Sequence, residues 1–445
     1  MSKDNIIEDK KQREVVFDLD QNYSAIVKRQ FKKNRAAVLS LKLLIFIIII
    51  GLLAPLIAND TPLYIKYQGN TYFPAFREVA VDLGITKWQP EMRKIINWKE
   101  VKYESVVWPL IPYSEIETDE ANIHYKSPLY PVVSPDEIPT DLDAEELKKW
   151  KKDKQIVASL RWKHWMGTDE SGRDLFSGII NGTTIAVKVG VVTMAIATFI
   201  GLIIGSLAGF YGDDGLKLTK IRLFLNILFI PFALFYAIKI GWFGIIAFFV
   251  IMIIPNLISN PLEKLKYFSK KGNFPLDLLL MRFIEIFNSI PRLLLILSIV
   301  AVTKQSIMLL MVIMGFTGWT GIARFTRAEL LRVRNLEYME AAKSLGFSEF
   351  RSIFRHALPN SLAPVLVSVA FGVASAILME AGLSFIGLGA EPGVATWGKL
   401  LTMARGYPPA WWLAIFPGFA IFVTVTIYNL IGEGLTDALD PKMKQ

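Results

Sequence analysis

The sequence predicts an all-α membrane protein that crosses the bilayer eight times, with a folded insert between its first two spans. Three observations predict it. The 445 residues are 53% hydrophobic and include 29 phenylalanines, and mean hydropathy is +0.39. Long charge-free apolar runs recur along the chain, and the flanks between them alternate in charge. A helix needs about 20 mostly apolar residues to cross the hydrocarbon, because its backbone polar groups must all be satisfied internally.

The spans follow in order. Leu43–Ala58, extendable past Lys42 to Ala36, is the first. It reads as an anchor rather than a cleaved signal, because no small-residue cleavage site follows Pro55. Val189–Gly212, Leu223–Ile238 and Ile240–Leu262 are next; Phe283–Thr303 follows, interrupted by Glu285 and Arg292. Ile307–Ala323, Ala357–Met379 and Gly406–Gly432 complete the set. The chain thus divides into a polar arm (1–36), a first transmembrane helix (37–57), an external insert (58–167), a membrane domain (168–433) and a short tail (434–445). Within the insert, acidic residues at the start and lysines at the end of Asp141–Gln155 suit a short helix and its dipole.

Charge sets the sidedness. Residues 1–57 hold 10 basic against 6 acidic residues, 58–167 hold 15 against 17, and 168–445 hold 24 against 17. Basic clusters lie at Lys28–Arg35, Lys217–Arg222, Lys264–Arg282, Arg324–Arg334 and Lys442–Lys444. With eight spans and an internal N-terminus, all five fall on the cytoplasmic side, as the positive-inside bias requires. Both termini are then cytoplasmic and residues 58–167 are external.

Several function classes are disfavoured. A net charge of +9 spread along 445 residues is not the clustered charge of a nucleic-acid binder. Without cysteine there is no disulfide framework or iron–sulfur ligation, and three histidines (His124, His164, His356) leave little for a metal centre, so no metal or cofactor is expected. The chain has no Gly-x4-Gly-Lys-Ser/Thr loop to cradle ATP, no His-Glu-x2-His and no Gly-x-Ser-x-Gly elbow.

The informative segment lies between the sixth and seventh spans. Glu340-Ala341-Ala342-Lys343-Ser344-Leu345-Gly346 is followed by Arg351–His356 and by Ala357-Leu358-Pro359-Asn360. Gly346 can take the left-handed conformation that ends a helix. A second short helix would run from Ser348 toward Pro359, which can open the next span. Small adjacent residues let such a helix sit close to a partner, so the segment is either a docking element or an ordinary loop.

Glu-Ala-Ala-x3-Gly-x11-Leu-Pro resembles the coupling loop of ABC importer permeases. Gly167-Thr168-Asp169-Glu170-Ser171-Gly172-Arg173-Asp174, Glu380–Gly389 and Asp437-Ala438-Leu439-Asp440-Pro441-Lys442 complete a set similar to the C-type permease of dipeptide/oligopeptide/nickel importers, over roughly residues 160–445. Asn59–Leu63, Gly69–Pro74 and Trp108–Ser114 resemble the microcin-C/oligopeptide subgroup. The resemblance implies a type I ABC permease fold of six spans, in a heterodimer with a second permease, two ATPase subunits and an external substrate-binding protein. It implies a coupling loop carried by Glu340, Ala341, Ala342, Gly346, Leu358 and Pro359, in a multi-pass protein of the inner membrane that imports peptides by alternating access and performs no covalent chemistry.

Two departures stand out. His356 occupies a position where the general coupling motif has Ile, and packing explains it better than a special role. About 60 residues, Leu216–Pro275, separate the second and third family spans and add the hairpin 221–262, which either crosses the membrane or forms a re-entrant or surface pair. The Gly-Thr-Asp segment is expected to cap the second span, with Thr168 as N-cap and Asp169 and Glu170 in the first turn. Arg292 and Glu380 lie in apolar surroundings, where charges face a pathway, a structural partner or the interface. Trp411 and Trp412 suit an interfacial belt. The rival readings are an ion-coupled secondary carrier and a membrane-embedded enzyme using Glu285 or Glu380.

Overall fold

A computed structural model describes residues 23–95, 97–128, 143, 162–213, 215–265 and 271–439. The start of the polar arm, the expected helix Asp141–Gln155 (apart from Asp143) and the end of the tail lie outside the described residues.

Helix α1 (Tyr23–Lys33) leads into α2 (Arg35–Ile57), the first apolar helix. Asn34 caps α2 by accepting the Ala37 N–H at 3.0 Å and reaches Asp437 through its amide at 3.1 Å. At 1.5 Å per residue the 23 residues of α2 span about 34 Å, enough to cross the hydrocarbon. Its mean character is apolar all round, as a lipid-facing helix requires, and it packs along the last helix of the chain.

The insert contains a small sheet that the apolar pattern did not announce. Strands β1 (Tyr64–Tyr67), β2 (Asn70–Tyr72) and β3 (Ser105–Val107) form an antiparallel sheet in the order β2-β1-β3. Tyr67 pairs with Asn70 across Gln68-Gly69, both at positive φ, the two-residue turn whose twist matches paired strands. Ile65 points inward onto Met92 and Trp98, among Tyr67, Trp88 and Tyr103, and helix α3 (Pro74–Asp82) follows the hairpin. A second apolar cluster of Ala58, Ile111, Tyr113 and Trp162 joins the insert to the C-terminal end of α2.

The remaining described residues are mostly helical. Helix α4 (Leu175–Tyr211) is followed by the paired helices α5 (Lys220–Ile240) and α6 (Gly244–Leu262), then by α7 (Leu276–Asn288) and α8 (Arg292–Ala301). Helix α9 (Ile307–Val333) leads to α10 (Glu337–Ser344); α11 (Leu358–Phe385), α12 (Trp397–Gly406) and α13 (Trp412–Leu439) complete the order. Among the described residues six helices are long and apolar enough to cross a membrane: α2, α4, α5, α9, α11 and α13; α6, at the fourth expected span, is a shorter apolar helix. The fifth expected span is a broken pair, α7 and α8. Its break falls at Ser289-Ile290-Pro291, not at Glu285: proline removes a helical donor and disfavours helix at the residue before it. Glu285 is exposed and paired with Arg282 at 2.7 Å.

Two compact units result. The first takes residues 1–198, 292–319 and 366–445, the second 199–291 and 320–365. The membrane core of the first is built by Val189, Ile296, Leu310, Met314, Ala376 and Leu383. In the second, Gly205 lets α4 approach α9 so closely that a Cβ would lie 2.5 Å from the Ala323 carbonyl oxygen.

The extra hairpin belongs to the second unit. Strands β4 (Lys217–Thr219) and β5 (Lys271–Asn273) pair antiparallel and close its base, with the Phe274 N–H donating to the Leu216 carbonyl at 2.8 Å. The helices are joined by polar groups at that end: Arg222 pairs with Glu263 at 3.0 Å and donates to Asn260 at 2.7 Å, and Asn256 donates to Asn226 at 3.3 Å. Away from these bonds the outer faces are apolar and exposed, including Phe224, Ile227, Phe235, Phe249 and Ile253. Large apolar faces of this kind mark contact with lipid or another protein.

Candidate functional site

The segment after α9 folds as a helix, a tight turn and a wound re-entry. Met339 and Ala342, three apart on α10, are buried; Met339 packs on Leu330, Val333 and Ala357. Glu340 and Ala341 face outward. The expected Ala-Ala face is therefore split: Ala341 is on the surface and Ala342 packs against the chain. Gly346 has φ +73, and the Phe347 N–H returns to the Ala342 carbonyl at 3.2 Å, the long bond of a Schellman cap. Just before it, Leu345 stands 73% exposed.

Phe347 is held from both sides. The Arg351 guanidinium lies 4.3 Å over its ring, and His356 stacks on it at 5.7 Å between centroids. His356 thus braces the turn by packing. Ser348 opens the return helix by accepting the Arg351 N–H at 3.4 Å. The winding then loosens into a π-turn over Ser352–Ala357, with the Leu358 N–H bonded to the Ile353 carbonyl, and continues into α11. Pro359 has no N–H to give, so a wider turn just before it is the local outcome of this sequence. Leu358 is half-buried and Pro359 exposed.

The helices that carry this segment are tied by charge. Arg327 on α9 makes a two-pronged ion pair with Asp277 at the start of α7. Such planar pairs fix orientation as well as distance. Sequence reasoning did not single out this pair, since Asp277 and Arg327 are 50 residues apart and neither sits in a motif.

The two intramembrane charges differ. Glu380 is 3% exposed and accepts the Ser384 hydroxyl at 2.6 Å. A further bond reaches Thr396, whose hydroxyl caps α12 by accepting the Lys399 N–H at 3.2 Å. Glu380 therefore ties α11 to α12 within the fold. Arg292 opens α8 and, among the described residues, bonds only neutral groups, the Met314 carbonyl at 3.0 Å and the Thr317 hydroxyl at 3.4 Å.

On the insert side, the Gly-Thr-Asp segment is a turn rather than the start of a helix. Thr168 does not cap α4: its buried hydroxyl donates to the Asn122 carbonyl and accepts the Lys126 N–H, both at 2.9 Å. Asp169 gathers the turn by accepting the N–H groups of Ser171 and Arg173 and pairing with the Arg173 side chain at 2.7 Å. Gly172 closes the turn at φ +81, where a Cβ would strike the Asp119 carbonyl oxygen at 2.3 Å. The cap is Asp174, which accepts the Ser177 N–H at 2.7 Å. Trp412 is likewise buried, donating its indole N–H to the Thr168 carbonyl at 3.0 Å, so only the half-exposed Trp411 fits an interfacial belt.

His164 links these parts. Its Nδ1 lies 2.8 Å from Asp174 and its Nε2 3.2 Å from Asp119, and Tyr113 stacks on the ring at 4.3 Å. Lys99 sits over the other side of this cluster, 3.8 Å from the Tyr113 centroid, and pairs with Glu117 at 2.6 Å. Burial works to lower the His164 pKa, but its hydrogen bonds to Asp119 and Asp174 outweigh this and push it up to about 9. A neutral imidazole has one N–H; only the doubly protonated ring satisfies a carboxylate on each side. The sequence signal for this residue was slight: one of three histidines, just before Gly167.

Comparison with known proteins follows the same lines. Residues 267–445 match the family described as the inner membrane component of binding-protein-dependent transport systems. Residues 22–74 match the N-terminal transmembrane domain of oligopeptide transport permease C. The chain is 31% identical over 283 residues to the dipeptide transport system permease protein DppC of Alkalihalophilus pseudofirmus, covering 63% of this chain and 73% of that one. It is 32% identical over 280 residues to the probable D,D-dipeptide transport system permease protein DdpC of Escherichia coli, covering 63% and 74%. Similarity to the peptidoglycan transport system permease protein YejE of Agrobacterium fabrum is 27% over 430 residues and extends over 94% of each chain.

Proposed function

The chain belongs to the permease family of binding-protein-dependent transport systems, and from that premise we propose that it forms one half of the membrane path of an ATP-driven peptide importer. The segment after α9 carries this reading. Glu340, Ala341, Leu345 and Gly346 form an outward surface on a helix and its turn, whose inner side carries the buried Met339 and Ala342, with Met339 packed onto Leu330, Val333 and Ala357. A force applied to that surface reaches α9 directly and α11 through the continuous winding from Ser348 to Pro359. Docked on an ATPase subunit, the segment converts closure of the ATPases into reorientation of the spans. Peptides as cargo are supported by relatives named for transport of dipeptides, D,D-dipeptides and peptidoglycan.

The partners are a second permease, two ATPase subunits that hydrolyse ATP, and an external substrate-binding protein. Co-purification from membranes tests the assignment: an ATPase and a second permease should both accompany the chain. An ion-coupled carrier working alone predicts neither, and a membrane-embedded enzyme has no use for either.

The proposed topology is eight crossings, with both termini cytoplasmic, residues 58–167 outside and α5–α6 crossing as a hairpin. The chain has no cysteine, so single introduced cysteines report cleanly. Ser114→Cys should react with an impermeant maleimide from outside, while Lys271→Cys and Ser344→Cys should react only after permeabilisation. Phe243→Cys, at the tip of the hairpin, should react from outside, and protection there until permeabilisation would show that the hairpin does not cross.

The insert is proposed to receive the binding protein. Tyr113 is buried and Trp108 packs against both apolar clusters of the insert, so neither offers a contact surface. The outward apolar residues are Leu110, 77% exposed, and Ile116. A photoreactive group at Leu110 or Ile116 should crosslink to the binding protein during nucleotide cycling. No crosslink in any state, with transport intact after residues 75–95 are replaced by a short linker, would remove the docking role.

A further inference from the structure

With Ala301 and Ile307, the facing ends of α8 and α9, taken as one edge of the hydrocarbon, helix length puts Arg292 near the middle of the membrane. From Arg292 to Ala301, the end of α8, is nine steps, or about 13 Å at 1.5 Å per residue. Its partners Met314 and Thr317 lie seven and ten steps from Ile307, the start of α9, or about 10 and 15 Å. Half of the hydrocarbon thickness is about 15 Å. A guanidinium at this depth is costly and is kept where it serves a pathway or a partner.

What surrounds Arg292 decides what it lacks. Both of its hydrogen-bond acceptors are neutral, and among the described residues no carboxylate pairs with it. The guanidinium has five N–H donors and uses two here, one of them in a long 3.4 Å contact. Gly318 makes room for the guanidinium itself, since a Cβ there would come within 2.9 Å of Nη2. Arginine elsewhere in this chain shows the alternative: Arg327, Arg222 and Arg173 each hold a carboxylate. Arg292 is a planar, permanently charged fork with three donors left over, at the depth where cargo must pass.

We propose that Arg292 binds the carboxylate of the peptide cargo midway through the membrane. This deepens the peptide-importer reading and rests on it. A carboxylate offers the two parallel acceptors that the fork matches, and it replaces water that the hydrocarbon has excluded. The weak neutral contacts to Thr317 and Met314 hold the side chain between passages, so the cargo competes with no resident anion and is released when the path opens.

The test uses the importer reconstituted with its partner subunits and binding protein in vesicles. Uptake of trialanine is compared with uptake of trialanine amide, each normalised to its occupancy of the binding protein. The unaltered importer should favour the free carboxylate by about tenfold, the scale of one charge-assisted hydrogen bond. Arg292→Gln should take both probes at the slow rate of the amide, and Arg292→Lys should retain part of the preference. Co-purification of the second permease should be unchanged in both variants. Equal slowing of the two probes by Arg292→Gln would overturn the proposal. So would loss of the second permease, which would assign the charge to the contact between subunits. If the unaltered importer moves neither probe while Ala341→Glu still uncouples its ATPase, the peptide reading fails and this proposal falls with it.

Discussion

Ala341→Glu is expected to abolish uptake and release the ATPase subunit while leaving the permease inserted at its normal level. Ala341 is exposed on α10, one turn before the outward Leu345, and bonds nothing through its side chain. A carboxylate there costs the free permease little. Buried unpaired against an ATPase, it loses hydration worth several kcal/mol, and a shift of about 4 kcal/mol weakens binding roughly a thousandfold. Gly346→Val tests the same surface by another route. Nothing lies within 4 Å of a Cβ at Gly346, so the penalty is conformational: about 1–2 kcal/mol for a side chain at φ +73, more for a β-branched one. That strain is relieved by opening the Schellman cap, which turns Leu345 and Phe347 away. Ala342→Glu is the contrast, because Ala342 packs inward; it should lower the amount of folded permease rather than uncouple it. ATPase co-purification, vesicle uptake and membrane abundance separate the three variants. Normal uptake in both Ala341→Glu and Gly346→Val would sink the coupling assignment.

Those residues were legible in the sequence for a physical reason. Long apolar runs and a glycine after a short polar helix are local signals: seven of the eight expected spans have a helix long enough to cross, one of them as the broken α7–α8 pair, whereas α6 is a shorter apolar helix. What was not legible depends on pairs far apart in the chain. Thr168 looks like an N-cap because threonine followed by two acids is the common pattern, yet bonds from Asn122 and Lys126 claim its hydroxyl and leave Asp174 to cap α4. The partners of Trp412 and Glu380 are similarly remote or local hydroxyls that composition does not reveal. The small sheet of the insert escaped notice because its strands are three or four residues long, too short for alternation to register. The division of Ala341 from Ala342 needed the packing of Met339, which fixes how α10 is rolled.

His164→Ala is expected to unfold the insert at neutral pH, and the unaltered protein should lose stability of that region as pH rises from about 6.5 to 9. The ring is 1% exposed between two carboxylates, one of which also caps α4. Removing it leaves Asp119 and Asp174 facing each other without a cation, a loss on the order of 3–5 kcal/mol for a broken buried pair. The pH dependence has a definite sign. The folded-state pKa, pushed up to about 9, lies above the unfolded value near 6.5, so the folded insert holds a proton that the unfolded chain releases. The stabilisation is complete below about pH 6.5, falls by about 1.4 kcal/mol for each pH unit above it, and is gone beyond pH 9; the whole amounts to about 3 kcal/mol. Limited proteolysis of the full-length protein, read at cleavage sites between residues 58 and 174, follows the insert without requiring it to fold alone. Protection should decline across that window in the unaltered protein and be low and flat in His164→Ala. Tyr113→Phe keeps the ring stacked on His164 and loses only the hydroxyl bond to the Trp162 carbonyl at 3.0 Å, so it should preserve the pH profile at slightly reduced protection. Protection independent of pH between 6.5 and 9 in the unaltered protein would mean that His164 holds no extra proton, and that the joint between insert and α4 rests on Asp174, Thr168 and Trp412 alone.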